Sequence, residues 1–296
     1  MLSRVANNLF WIGRYMERSY GILLTTQVAY SESQDFNINS EVSESNSESD
    51  FTSTLHYHLL DVNNLNSVYN LTYKARENCR SIQEEVSREL WLCLNNKYLF
   101  LRDVLNDKID EDDPLKLIDE ISVHNYLYYG IADLTQERGS AFCFMNCGKY
   151  LERIFRTIDF IESNIIKDKK ESDLLEESIY WKNLLLSIGG YQLYLRTYKS
   201  SFKNKNIVDM LMFNKNFPHS IYYAIKKLET HILRLQNNHN NKENELIFLI
   251  GKLESTIKYT TLDHIFPEQL ETVISNIKNE LLEISNRFNE MYFSNY

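Results

Sequence analysis

Glycine and proline are scarce in this sequence: 296 residues hold eight of the first and three of the second, where average usage would supply about 20 and about 15. Few breakers mean few tight turns, so long helices are expected. Long hydrophobic runs are missing too. No stretch of about 18 apolar residues offers a membrane-crossing helix, and Arg4, Arg14, Glu17 and Arg18 interrupt the place where a signal peptide keeps its apolar core. A basic surface is absent as well, since the formal net charge is −9, the wrong sign for displacing counterions from nucleic acid. Together these absences predict a cytoplasmic protein with neither a membrane nor a nucleic-acid partner. Cysteine is limited to Cys79, Cys93, Cys143 and Cys147, each beside large apolar residues, as buried thiols usually are. Cys143 and Cys147 share a helix face, but no second pair has ligand spacing, so no metal is expected.

What is present is apolar periodicity of the helical kind, in a chain that is 43% hydrophobic and 25% charged. That balance suits a globular protein with a sizeable core, and no alternating strand pattern occurs. The expected fold is all-α, a single bundle of long helices over residues 1–296. A first helix should run from Ser3 to about Ser31, with Leu9, Ile12, Met16, Leu23 and Val28 on its apolar face. Residues 31–51, rich in Ser, Glu and Asn, read as a flexible loop within the domain. Further helices are expected over about 52–62, unbroken over 67–105, over 115–167 with a bend near Gly130 or Gly139, and over 172–201, 208–213, 218–236, 243–259 and 267 onward.

The charges inside these helices need a cause. "GRYMERSY", residues 13–20, places Arg14, Glu17 and Arg18 directly after Leu9, Phe10, Trp11 and Ile12, and "GKYLERIF", residues 148–155, repeats the pattern with Lys149, Glu152 and Arg153. Arg4, Asn8, Trp11, Tyr15 and Arg18 fall on one helical stripe. Arg76, Arg80, Gln83, Ser87, Trp91 and Asn95 form another, with Glu77, Glu84, Glu85 and Glu89 beside it. The two Glu-Arg helices are read as related and facing each other, with the third stripe as the counterpart that balances them. Two readings stay open. The groups form bidentate ion pairs that fix helix register, or they line a pocket where Arg forks grip a carboxylate or phosphate. The binding candidates are Arg4, Asn8, Trp11, Arg14, Glu17, Arg18, Arg76, Glu77, Asn78, Arg80, Glu89, Trp91, Arg138, Glu152 and Arg153.

The segments "MLSRVANNLFWIGRYMERS", "ARENCRSIQEEVSRELWLCLN", "GKYLERIFRTIDF" after "ERGSAF", "GGYQLYLRTYK" and "FPHSIYYAI" together resemble the bacterial alpha-E domain family, also called DUF403. The likeness spans nearly the whole chain. It departs from the pattern at Lys149, where the first repeat has Arg14, and at His219, where the family favours Arg. The family has no established activity, and what the resemblance implies is association with an ATP-grasp ligase and a transglutaminase-like protein in forming or modifying peptide or amide bonds. This chain would then be an accessory or binding domain that orients a partner or holds an anionic peptide or nucleotide. One alternative is an enzyme in its own right, with Arg18, Arg76, Arg80 and Arg153 binding an anion and Glu17, Glu77 or Glu152 moving a proton. Another is a purely structural scaffold. Cofactor and substrate stay open.

Overall fold

A computed structural model describes residues 1–39, 53–106, 114–166, 174–199, 202–236 and 241–293, and no strand occurs among them. The helices are α1 (Ser3–Asn39), α2 (53–59), α3 (Val68–Arg80), α4 (Arg88–Asn106), α5 (Pro114–Thr135), α6 (Ser140–Ile161), α7 (Leu174–Ser187), α8 (Tyr191–Tyr198), α9 (Asn204–Phe213), α10 (Ile221–Leu235), α11 (Asn241–Tyr259), α12 (Leu262–Ile265) and α13 (Leu270–Tyr292). The expected all-α class is what is observed. No helix among the described residues is long and apolar enough to cross a membrane.

Three boundaries differ from the sequence reading, and a fourth falls at one of its two expected places. Helix α1 continues beyond Ser31 to Asn39, and the rest of the expected loop lies outside the described residues. The stretch 67–105 is two helices, because a 3-10 turn at Gln83–Glu85 intervenes and the Ser87 hydroxyl accepts the Leu90 N–H at 3.2 Å to start α4. A capping serine outweighs apolar periodicity that runs straight through. The break between α5 and α6 falls at Gly139, while Gly130 stays inside α5. Gln136 joins the two breaks: its side chain accepts the Ser87 N–H at 2.9 Å and donates to the Glu85 carbonyl at 2.9 Å. The stretch 172–201 divides at Gly189, whose φ of 69° places it in the left-handed region where a side chain is strained.

Helices α1 and α6 form the central pair. Gly13 lies against the Met145 and Lys149 backbone, Arg18 against Glu152, and Gly21 against Arg156, so rising numbers meet rising numbers and the helices run in the same direction. The approach is close enough that a Cβ on Gly13 would overlap the Met145 carbonyl, and one on Gly148 would overlap the carbonyl of Phe10. Each glycine sits three residues after the carbonyl its partner meets, so the crossing is reciprocal.

The repetition extends outward. Helix α3 packs on α1 as α10 packs on α6, then α4 and α5 follow on one side and α11 and α13 on the other. Both α3 and α10 begin at a fully buried serine whose hydroxyl accepts the N–H three residues on, Ser67 from Asn70 at 3.2 Å and Ser220 from Tyr223 at 3.0 Å. The main core gathers at the crossing, with Leu9, Phe10, Ile12, Met16, Leu151 and Ile154 buried. A smaller one, including Leu23, Leu55, Leu59, Leu101 and Ile121, lies under the far part of α1. Each such aliphatic side chain contributes about 1.5–3 kcal/mol of burial, and this apolar frame holds the charged groups in register.

Candidate anion-binding cleft at the crossed Glu-Arg pairs

The two Glu-Arg motifs answer each other crosswise. Glu17 of α1 is fully buried and accepts two bonds from Arg153 of α6, Nε to Oε1 at 2.6 Å and Nη2 to Oε2 at 2.8 Å. The Tyr129 hydroxyl donates to the same Oε2 at 2.7 Å, and Arg153 Nη1 donates to the Pro218 carbonyl at 3.0 Å. His219 stacks on Tyr20 alongside, ring centroids 6.0 Å apart. Burial pushes the Glu17 carboxyl up, but the Arg153 guanidinium outweighs it and holds the group well below the usual carboxylate range. Burial and then the Arg153 charge press His219 well below the ordinary histidine value, leaving it neutral. This half of the exchange is closed, with its lone pairs and protons satisfied inside the protein.

The other half is open. Glu152 accepts from Arg18 Nε at Oε1 (2.6 Å), and its Oε2 accepts from Arg14 Nε (2.7 Å) and Arg18 Nη2 (3.1 Å). Arg18 Nη1 donates to Asn66 Oδ1 at 3.2 Å, so each arginine uses its spare arm on the loop before the following repeat helix, Asn66 before α3 and Pro218 before α10. The Arg18 side chain is 32% exposed, against 8% for Arg153. Arg14 lies over the Trp11 ring at 5.1 Å, a cation–π arrangement that orients the guanidinium.

Arg156, one turn beyond Arg153, adds a third guanidinium. It fits against Gly21, donates from Nη2 to the Ser187 carbonyl at 3.1 Å, and leaves Nη1 without a hydrogen-bond partner. Burial lowers its pKa. Arg14, Arg18, Glu152 and Arg156 line a cleft of about 790 Å3, with Asn64 and Asn66 at one edge and Lys278 at another. Lys278 is already engaged by Asp159 at 3.0 Å and Glu162 at 2.7 Å. Arg14 and Arg18 thus share Glu152, Arg156 stands beside them without a carboxylate among the described residues, and a planar anion entering the cleft would meet guanidiniums in the fork geometry that carboxylate and phosphate prefer.

The remaining candidates sit elsewhere. The stripe on α3 and α4 was expected to balance the Glu-Arg helices, and instead it balances itself. Arg76 pairs with Glu77, donates to Asn95 Oδ1 at 2.8 Å and lies over Trp91 at 5.6 Å, while Arg80 reaches Glu77 at 2.7 Å. The reason is reach: α1 and α6 approach so closely at their glycines that each motif finds its partner directly across the crossing. Asn8 donates to Ser81 Oγ at 2.8 Å, and the Asn78 carbonyl accepts from that same hydroxyl at 2.8 Å. Arg4 and Glu89 are exposed on the surface. Arg138 pairs with Asp133 at 2.8 Å on the far side of the crossing. The four cysteines are buried, and among the described residues no three His, Cys, Asp or Glu side chains are grouped to hold a metal. Sequence reasoning passed over Arg156, Asn66 and Tyr129. For Arg156 a signal existed, because it follows Arg153 at a three-residue spacing on one helix face and its counterpart in the first repeat is the small Gly21.

These features define an all-helical domain organised around a duplicated, cross-paired Glu-Arg motif. The chain belongs to the Alpha-E family: residues 1–293 match the model of this predicted alpha-helical domain with a conserved ER motif. Comparisons with curated proteins and with solved structures gave no match.

Proposed function

We propose that this chain is a binding domain of the bacterial cytoplasm. It serves an ATP-grasp ligase and a transglutaminase-like protein in forming or modifying peptide or amide bonds, and it holds a carboxylate of a peptide-type ligand in the cleft of Arg14, Arg18, Glu152 and Arg156. The observation that carries the ligand part is the gathering of three guanidiniums in an open cleft whose two carboxylates, Glu152 and Asp159, are already engaged, the first by Arg14 and Arg18 and the second by Lys278. The partner part rests on the resemblance to the alpha-E domain family.

Binding is favoured over independent catalysis because each carboxylate considered as a proton carrier is already engaged. Glu17 is closed in the core, Glu77 is shared by Arg76 and Arg80, and both oxygens of Glu152 accept from arginines. Isothermal titration of this chain against its ATP-grasp partner, with and without ATP, tests the partner role. A dissociation constant of about 10 μM or tighter supports it, and no heat up to about 100 μM defeats it. A thermal-shift screen with short peptides tests the ligand role. Stabilisation that vanishes in Arg14→Ala supports the cleft, and stabilisation untouched by Arg14→Ala places the ligand elsewhere.

A further inference from the structure

A second charged cavity, about 400 Å3 in volume, lies on the opposite flank of the α1–α6 crossing and shares no residue with the Arg14–Arg18 cleft. Lys149 sits in its wall, at the register position that Arg14 holds in the first repeat. Arg14 reaches Glu152, but the equivalent bond from Lys149 to Glu17 is not formed, because Glu17 is taken by Arg153 and Tyr129. The Lys149 ammonium lies instead over the Tyr129 ring at 4.5 Å and the Tyr150 ring at 5.2 Å, largely buried and with no carboxylate partner among the described residues.

Other elements add charge of the same sign. Lys227 and Arg234 stand seven residues apart on α10, hence on one face, and neither pairs with a carboxylate among the described residues. Arg138 lines the cavity too, bound at 2.8 Å to Asp133, the one carboxylate in the wall. His231 registers the resulting field: burial and the charges of Arg234, Lys227, Lys149 and Arg138 press it down to about 4, and its Nδ1 is buried without a partner. Burial and the neighbouring Arg153 and Lys227 likewise bring Lys149 down to about 8, with Glu17 and Asp133 opposing.

We propose that this cavity binds a small molecule bearing a diphosphate group, seated on Lys149 and clasped by Lys227, Arg234 and Arg138. Charge decides the class. Four cations face one carboxylate, and a diphosphate brings about three negative charges, whereas a lone carboxylate would leave most of the excess unanswered. Phosphate oxygens take point contacts from lysine and forked contacts from arginine. The Phe142, Tyr129 and Tyr150 rings supply an apolar wall for an organic substituent.

The test is isothermal titration of the full chain with inorganic pyrophosphate and, separately, orthophosphate at low salt. Pyrophosphate is expected to bind at least about tenfold tighter than orthophosphate, a difference of about 1.4 kcal/mol. Lys149→Met should weaken it at least tenfold and Lys149→Arg should restore most of the affinity. Lys227→Ala and Arg234→Ala, on an exposed helix rim, should each weaken it severalfold while circular dichroism stays unchanged. Arg156→Leu in the other cleft should leave it as in the wild type. No pyrophosphate binding overturns the proposal. So does binding indifferent to Lys149→Met, Lys227→Ala and Arg234→Ala, or binding lost in Arg156→Leu.

Discussion

Glu17–Arg153 and Arg18–Glu152 are the same interaction made twice, from the same two helices and the same register, yet one is sealed and the other faces a cleft. The helix crossing does not distinguish them. The difference lies in what covers each pair. Over Glu17, α5 contributes the Tyr129 hydroxyl and the loop before α10 contributes the Pro218 carbonyl and the neutral ring of His219. Over Glu152, a second arginine takes the place of the tyrosine and Asn66 takes that of the carbonyl. A duplicated motif has become a structural clamp on one side and a cation-rich cleft on the other, and the two uses have opposite energetic signatures.

The largest expected effect comes from the sealed side. Glu17→Ala leaves Arg153 buried without its carboxylate and should cost about 3–5 kcal/mol. Glu152→Ala removes a carboxylate that is itself buried but leaves Arg14 and Arg18 partly exposed in a cleft, and should cost less, about 2 kcal/mol. Urea denaturation of the two variants measures the gap directly, and equal losses would erase the distinction. Acid sharpens it. The folded carboxyl of Glu17 titrates far below its unfolded value of 4.5, so its contribution is complete above that value and is lost as pH falls below it. The acid limb of the stability curve should therefore flatten in Glu17→Ala.

The crossing itself comes next. Gly148→Ala forces a Cβ against the Phe10 carbonyl, pushing α1 and α6 apart and lengthening both ion pairs at once, at about 1–3 kcal/mol. Gly130→Ala is the control with the opposite sign: a Cβ there meets nothing within 4 Å, and the helix should gain about 0.4–1 kcal/mol. Thermal melts of both variants separate close approach from mere glycine content.

How much of this was legible in the sequence follows from where the information lies. The helical class was written in the scarcity of breakers and the apolar periodicity. The pairing of the two motif helices was written in "GRYMERSY" and "GKYLERIF". The breaks at Ser87 and Gly189 were hidden because a hydroxyl cap and a positive φ are local backbone events beneath an unbroken apolar pattern. Which motif would be covered could not be read at all, since Tyr129, Asn66 and Pro218 lie far from the glutamates in sequence and meet them only through packing. The match of α3 with α10 was similarly faint: Ser67 and Ser220 begin equivalent helices whose sequences diverge beyond the first turn.

Lys97 extends the comparison to a buried cation with no carboxylate partner among the described residues. It donates to Ser19 Oγ at 3.0 Å and Asn125 Oδ1 at 2.6 Å, and burial brings it down to about 7 from an ordinary 10.5. Between those values the unfolded chain binds the extra proton, so folding stability should rise as pH climbs from about 7 toward 10.5, and fall on the way down. Lys97→Met should remove the slope between about pH 7 and 8, below the range in which Lys149 adds its own. A series of melts from pH 6 to pH 9, in steps of about one unit, decides it: a slope that survives the substitution belongs to another group.

Arg156 should show the smallest effect on stability and the most telling one. Like Arg153 it is deeply placed on α6, but among the described residues it holds no carboxylate and its Nη1 has no partner, and burial lowers its pKa. Replacing a buried, incompletely satisfied charge by an apolar side chain of similar volume is often neutral or stabilising, so Arg156→Leu should change unfolding free energy by less than about 1 kcal/mol, with an increase expected. A group kept solely to fix the helices would show the reverse, a loss like that of Glu17→Ala. Combining the Arg156→Leu melt with peptide binding to the same protein separates the two cases. Stability held or raised while binding falls means that Arg156 is retained for what enters the cleft, at a cost to the fold. A large loss of stability with binding intact would make the open side as structural as the closed one.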